Sequence, residues 1–194
     1  GPIELSVLFE EFGKILIVEP YLSTIVLAGS VLDKSNYDGR ADLIESMTSG
    51  VSHISLAYLE EGSKNSPAFA NTSLTSSDNG LVLNGTKTLV LNGGNASKFI
   101  VSAMMNDQLA LVIVDADAEG VSKITYPTID GQSCAEISFE NVQLDEAAII
   151  SMEKAKYLNP SYPVEYIIIE AGTRLMQGDL TYGKSLIETT IERL

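Results

Sequence analysis

Residues 81–95 read LVLNGTKTLVLNGGN, and this stretch decides the fold class. Its two β-favouring runs, residues 81–83 and 88–91, flank the dipeptide Asn84-Gly85, which is a strong short-range signal for a β-hairpin. A second cluster of asparagine and glycine, residues 92–95, follows the second run and predicts another turn. The stretch therefore predicts paired strands and not a helix.

The strand pattern extends outward from this stretch, from about residue 53 to residue 144. Residues 99–101 and 109–114 are apolar runs around Asn106-Asp107, which predicts a second hairpin. Residues 137–142 alternate apolar and polar side chains, as expected for a half-buried strand. Closely spaced strands with turn residues between them predict a small β-barrel or sandwich. Its predicted core contains Leu81, Leu83, Leu89, Leu91, Ile100, Leu111, Ile113, Ile137 and Phe139.

Helical periodicity occupies both flanks of the β region. Apolar spacings of three and four residues predict one helical face, made of Leu5, Leu8, Phe9, Phe12 and Leu16. Residues 41–47 predict a further helix that ends near Gly50, and apolar spacing returns after residue 164. The order predicts an α+β protein, with helical residues 1–52, a β domain at residues 53–148, and a connector and helix at residues 149–194.

Composition narrows the function classes. The 194 residues include 12 basic and 26 acidic side chains, a formal charge of −14, and 45% are hydrophobic, which is the composition of a folded protein. Nucleic acids and anionic membrane surfaces favour basic proteins, so we expect neither as a partner. No apolar run approaches the roughly 18 residues of a transmembrane helix, so we expect no membrane insertion. The single cysteine excludes an internal disulfide and fits a reducing compartment such as the cytoplasm.

Few residues point to chemistry by themselves. His53 is the only histidine, so a boundary position is favoured over a metal site, and no metal is expected. Cys134 has no basic neighbour in sequence that would activate a thiol. Residues 92–95 resemble a phosphate-binding loop but lack its Lys-Ser/Thr and open no helix, so a β-turn is favoured. Adjacent Glu60 and Glu61 face opposite sides of an extended chain and cannot act as a pair.

A family resemblance adds to these observations. Residues 85–96, GTKTLVLNGGNA, resemble the segment in which acyl-CoA dehydrogenases carry an asparagine-glycine turn, a lysine, a Trp-Ile-Thr strand and a turn ending in alanine. Residues 98–103 and 139–142 are similar to further β-domain segments of that family. The resemblance implies an acyl-CoA dehydrogenase-like α+β fold, in which helices precede a small β-barrel or sandwich domain and the first helix of a C-terminal bundle. It covers the middle of a family member, so we expect both helical parts to be truncated.

The resemblance also implies an activity. Acyl-CoA dehydrogenases use FAD to introduce an α,β double bond into an acyl-CoA thioester, as in fatty acid β-oxidation. We therefore expect an FAD-linked subunit that binds an acyl-CoA substrate and forms a homo- or hetero-oligomer with a second acyl-CoA dehydrogenase subunit, of which this chain is the small one. The alternative is a non-catalytic structural partner that keeps the fold and binds no flavin.

The site residues implied by the resemblance fall in three groups. The family's Thr-Glu-Pro-x-x-Gly-Ser-Asp segment corresponds to residues 59–66, LEEGSKNS, and the family's flavin-stacking tryptophan corresponds to Leu89. In most members the catalytic base would lie beyond Leu194, and Glu165 and Glu170 are candidates only for the minority arrangement. The implied substrate contacts are Ser63 and Asn65. The implied cofactor contacts are Tyr58, Leu59, Leu89, Val90, Leu91 and Arg193.

Overall fold

The structure, a computed structural model, describes residues 2–63, 70–78 and 80–150. Its N-terminal part is helical, with α1 at Pro2–Lys14, a π-helical segment at Tyr21–Ala28, α2 at Gly29–Asp33 and α3 at Arg40–Thr48. As predicted, the third helix ends near Gly50: its last residue is Thr48, and Gly50 follows the C-cap Ser49 with φ +74°. The Gly50 N–H donates to the Met47 carbonyl at 3.2 Å and the Val51 N–H to the Ser46 carbonyl at 3.0 Å. These two bonds form a Schellman cap, which satisfies the last carbonyls of the helix.

The first helix is shorter than its apolar pattern predicts. Leu16 was expected on its apolar face, but the helix ends at Lys14 and Leu16 is exposed with φ +51°. Phe9, Phe12 and Tyr21 instead form an aromatic cluster, with ring centroids 5.4–6.0 Å apart and edge-to-face orientations. Across the described residues, no helix has the length and apolar content needed to cross a bilayer.

The β region forms a mixed sheet, which has eight strands within the described residues. Seven strands follow the order β6-β7-β3-β2-β4-β5-β8, and β1 pairs in parallel with β4 at one side. The strands are β1 at Ile54–Ala57, β2 at Ser73–Ser77, β3 at Gly80–Leu91, β4 at Lys98–Met105, β5 at Gln108–Asp115, β6 at Val121–Pro127, β7 at Ser133–Leu144 and β8 at Ile149–Ile150. The α+β class expected from the sequence is confirmed.

Two apolar clusters explain why some strands are continuously apolar and others alternate. Strands β4 and β5 are buried on both faces, because Phe99 contacts one cluster and its neighbour Ile100 contacts the other. The second cluster lies under the helices, where Leu32 and Met47 pack on the sheet. Strands β3 and β7 contribute only to the first cluster, so the helices of residues 2–48 do not cover their opposite face. That uncovered side is called the outer face below.

One predicted hairpin is confirmed and the other is wrong. Asn106 and Asp107, with φ +51° and +60°, connect β4 to β5 as the two-residue turn that positive φ values favour. Asn84 and Gly85 instead lie within the continuous strand β3. Gly85 marks a register shift against β7, and a Cβ there would lie 2.5 Å from Thr72 Oγ1. From Leu83 to Gly85 the register advances two residues on β3 but three on β7, so the dipeptide lies opposite a β-bulge whose extra residue is on β7.

Candidate functional site

A second bulge, whose extra residue lies on β3, shapes the candidate site. On β3 the register advances three residues from Lys87 to Val90, whereas on β7 it advances only two, from Ile137 to Ala135. The extra residue gives Leu89 a φ of +50°, which is unusual for a residue with a Cβ. A bulge of this kind bends a strand and redirects its side chains. The backbone at Leu89 is therefore the irregular point of this strand.

The bulge changes which side chains face the core. Lys87 and Val90 both point inward and are buried, although simple alternation would place them on opposite faces. Leu89 and Leu91 consequently lie on the outer face, where Leu89 is 42% exposed and Leu91 is half-buried. The prediction that Leu89 and Leu91 belong to the core is wrong for this reason. The other seven predicted core residues are buried.

Three neighbouring strands meet on the outer face beside the bulge. Leu91, Cys134 and Tyr126 are in register on β3, β7 and β6. Cys134 is completely buried between its two neighbours, and burial raises the pKa of its thiol. The Leu89 backbone N–H approaches the Tyr126 hydroxyl; burial raises the pKa of that hydroxyl, and the N–H contact lowers it in part. The outer face here is therefore apolar, with one aromatic side chain reaching across it.

This arrangement predicts the reactivity of the cysteine. In the native protein, we expect Cys134 to react with a thiol reagent much more slowly than after denaturation, because it is buried and its thiol is protonated. The change Tyr126→Ala should accelerate the native-state reaction by removing the side chain opposite Cys134. Ile124→Ala, two residues away on the same face, is the matched control. Equal rates for wild type and both variants would contradict this description of the outer face.

The chain that follows β1 lies against the bulge. The Leu59 carbonyl accepts a hydrogen bond from the Thr88 N–H at 2.8 Å, so this segment is anchored to β3 directly before Leu89. Leu59 is buried and Tyr58 is half-buried. A turn then brings the Ser63 N–H to 3.1 Å from the Glu60 carbonyl, and Ser63 is buried. The structure thus brings together two segments that the resemblance assigned to one site.

A buried ion pair, which no pattern in the sequence predicts, lies beneath this junction. Lys87 is completely buried, and its Nζ lies 2.6 Å from Glu60 Oε1. Burial lowers the pKa of Lys87, although Glu60 offsets part of that effect. Burial would raise the pKa of Glu60, but hydrogen bonds from Lys87 and from the chain at Asn71 and Thr72 outweigh it, so that pKa is lowered. The sequence does contain one signal for the burial of Lys87. This residue lies an even number of positions from Leu81 and Leu83, so strand alternation places all three side chains on the same buried face.

The remaining candidates separate into described and undescribed residues. Residues 92–95 form the predicted turn, in which the Asn95 N–H donates to the Asn92 carbonyl at 3.1 Å. A Cβ at Gly94 would lie 2.7 Å from Thr125 Cγ2, so the glycine permits close approach of β6. His53 is half-buried at the start of the β region, and Glu60 and Glu61 differ in burial as predicted. The candidates outside the described residues are Asn65, Glu165, Glu170 and Arg193.

Comparisons with known proteins agree with this geometry. Residues 55–142 match the family model for the acyl-CoA dehydrogenase middle domain. A glutaryl-CoA dehydrogenase from Mycobacterium smegmatis, solved with FADH2, superposes with a TM-score of 0.62 at 19% identity, over 74% of this chain and 37% of its own. The ChsE4–ChsE5 complex from Mycobacterium tuberculosis superposes with a TM-score of 0.65 at 19% identity. The match covers 93% of this chain and 54% of that one. Butyryl-CoA dehydrogenase from Megasphaera elsdenii superposes with a TM-score of 0.64 at 19% identity. The match covers 79% of this chain and 41% of that one.

These comparisons define a fold and a matched domain. The chain spans about a third to a half of the length of these solved proteins. No curated protein matches the sequence significantly. Residues 55–142 match the acyl-CoA dehydrogenase middle-domain model, and the fold of the described residues is acyl-CoA dehydrogenase-like, as expected from the sequence.

Proposed function

We propose that this chain is part of an FAD-linked acyl-CoA dehydrogenase that acts in the cytoplasm on an acyl-CoA thioester. The observation that carries the proposal is the outward Leu89 bulge, held against the Tyr58–Ser63 segment within a matched middle domain. The finer form of the proposal is a small subunit of a hetero-oligomer. It is supported by a likeness of four stretches to the small subunit of pimeloyl-CoA dehydrogenase, namely residues 10–13 with 18–22, 114–117, 120–122, and 126–128 with 130–131 and 135–137. The solved ChsE4–ChsE5 complex also supports it.

The residues of the outer face suit one side of a flavin ring. Leu89 and Leu91 offer an apolar surface on which an aromatic ring can pack, and the bulge leaves the Leu89 N–H outside the β3–β7 ladder. Neither leucine donates a hydrogen bond, so polar contacts must come from backbone groups near Leu59, Leu89 and Val90. Arg193 completes the proposed cofactor contacts. When bound, FAD would supply the acceptor for the hydride that leaves the substrate β-carbon.

The chain's own groups would position the thioester and remove a proton. Ser63 and Asn65 are proposed to contact the substrate near the segment that packs on the bulge. A carboxylate must take the α-proton, and a desolvated glutamate performs such a step well. Glu165 and Glu170 are the candidates within this chain, and the alternative is a glutamate of a longer chain or of the second subunit.

The first experiment tests the outer face directly. We expect the double change Leu89→Trp with Leu91→Thr to tighten FAD binding in the full complex. An aromatic stack and one new hydrogen bond contribute together about 1–3 kcal/mol, or roughly 5- to 150-fold in Kd. Because Leu89 is exposed, the larger ring should leave the melting temperature nearly unchanged. Flavin fluorescence titration and a thermal melt measure both quantities.

Ile124→Trp is the matched control, because it adds the same ring to the outer face of β6. It should leave the Kd for FAD unchanged. Wild-type protein that is colourless, together with a double variant that melts lower and gains no flavin, would contradict the proposal for this chain.

A second function has one specific observation in its favour. The resemblance assigns flavin contacts to a threonine, a tryptophan and a second threonine, and this chain has Leu59, Leu89 and Leu91 at those positions. The Leu89 N–H already faces the Tyr126 hydroxyl. A chain that lost flavin binding and served as a structural partner would have this appearance. The double variant separates the two functions. In a structural partner, Leu89→Trp with Leu91→Thr changes at most the melting temperature and does not produce FAD binding.

A further inference from the structure

Lys87 is the largest fully buried side chain in the described part of the chain. Its Nζ donates to Glu60 Oε1 at 2.6 Å and to Ser102 Oγ at 2.9 Å. The lysine lies on β3 and the serine on β4, so the ammonium group links the central strands on their inner side. Each bond has a length typical of a good hydrogen bond.

The Glu60 carboxylate collects donors from a second region of the chain. Oε1 accepts from Thr72 Oγ1 at 2.7 Å and from the Thr72 N–H at 3.1 Å, and Oε2 accepts from the Asn71 N–H at 2.6 Å. One carboxylate therefore links Glu60 to Asn71 and Thr72. Glu60 belongs to the Tyr58–Ser63 segment, which carries the proposed substrate contact Ser63 and is called the Ser63 segment below.

The chain at Leu59 and Glu60 also holds β3 directly before the bulge. Leu59 accepts from the Thr88 N–H at 2.8 Å, while its neighbour Glu60 accepts from the Lys87 ammonium group. Two consecutive residues after β1 thus hold two consecutive residues of β3. Leu89 is the next residue, and it turns outward with φ +50°. The exposed leucine and the Ser63 segment are therefore attached to one buried pair.

Stability alone does not account for this pair. Removing two charges from water costs several kcal/mol per ion, and replacement of a buried pair by apolar residues of similar volume is often neutral or stabilising. Three further donors and a serine satisfy the two groups, which is the arrangement of a network that specifies one geometry. The feature that this geometry determines is the position of the Leu89 bulge relative to the Ser63 segment.

We infer that Glu60 and Lys87 are a positioning pair, which holds the Leu89 bulge and the Ser63 segment in the arrangement that the flavin and the thioester require. The inference rests on the proposed function for its ligands. Its structural part, that the pair holds the bulge and the segment together, is independent of any ligand. Neither residue touches cofactor or substrate in this role, because both are buried beneath the outer-face backbone.

The test compares two neutralised pairs in the full complex. Glu60→Gln with Lys87→Met removes both buried charges, and the single glutamine oxygen can still accept from Thr72, whose N–H and hydroxyl both donate to Oε1 of Glu60. Lys98→Met with Asp115→Asn removes the partly exposed pair between β4 and β5 and is the matched control. Amide hydrogen exchange at residues 88–91 and 71–72, the Kd for FAD and the melting temperature are measured for each protein.

For the buried double variant we expect a melting temperature within a few degrees of wild type. Exchange at residues 88–91 and 71–72 should be faster by about ten-fold, and FAD binding should be weaker by about ten-fold. Lys98→Met with Asp115→Asn should leave both the exchange rates at these residues and the Kd for FAD unchanged. Unchanged exchange and unchanged FAD affinity in the buried variant would overturn the inference.

Two further outcomes keep the inference separate from the proposed function. If wild-type complex binds no flavin, the proposed function fails for this chain, and the exchange rates alone decide whether the pair holds the bulge. If the double variant does not fold, Glu60→Gln alone replaces it, and unchanged exchange at residues 88–91 in that variant overturns the inference.

Discussion

Replacing Lys87 with methionine should lower the free energy of unfolding by about 3–5 kcal/mol, because it leaves the Glu60 carboxylate buried without its cation. Lys98→Met is the matched control. Its partner Asp115 is exposed, so this change should cost about 0–1 kcal/mol. Urea unfolding of each variant measures the difference. Equal losses for the two lysines would show that the buried pair has no special energetic role.

The same measurement at lower pH tests the cause. The pKa of Glu60 is lowered in the folded protein, so its contribution to stability is fully present above the ordinary value of 4.5. That contribution is lost as the pH falls through the lowered folded value. Lys87→Met has already lost this contribution of the ionised Glu60. We therefore expect the difference in free energy of unfolding between wild type and variant to shrink below pH 4.5. A deficit that stays constant with pH would point to lost packing instead.

Gly85→Ala should be the second severe change, with a loss of about 3 kcal/mol in the free energy of unfolding. Gly85 has φ +149°, and an added Cβ would lie 2.7 Å from Thr72 Cα, which is backbone and cannot rotate away. Gly13→Ala makes the same chemical change in α1, where nothing lies within 4 Å of the new carbon. We expect that control to be neutral or slightly stabilising. Thermal or urea unfolding distinguishes them, and a neutral Gly85→Ala would contradict the bulge.

Local signals in the sequence were reliable where local chemistry decides the structure. Asn106-Asp107 forms the predicted turn because its two strands are adjacent in sequence and no distant strand competes. Gly50 ends a helix because only the last turn of that helix is involved. Asn84-Gly85 carries an equally strong turn signal. It fails because residues on both sides pair with β7, in which Leu144 lies opposite Leu81. A single sequence does not reveal that distant partner.

The same distant pairing explains the errors at the candidate site. Strict alternation assigned Leu89 and Leu91 to the core together with Leu83, and it would have been right without the extra residue after Lys87. The segments at residues 58–63 and 88–91 were assigned to one site by resemblance, and the structure places them in contact. The Glu60–Lys87 pair was not anticipated, since the two residues are far apart in sequence and each reads as a surface charge.

The two irregular points in β3 have a consequence for the shape of the whole sheet. A straight strand of 12 residues would extend about 40 Å, which is longer than a small domain is wide. Leu81 near one end and Val90 near the other nevertheless belong to one apolar cluster. Bulges bend a strand and increase its coiling. The curvature lets a single layer of strands wrap around its own interior, so that, among the residues described, the sheet encloses a core without a second sheet to cover it.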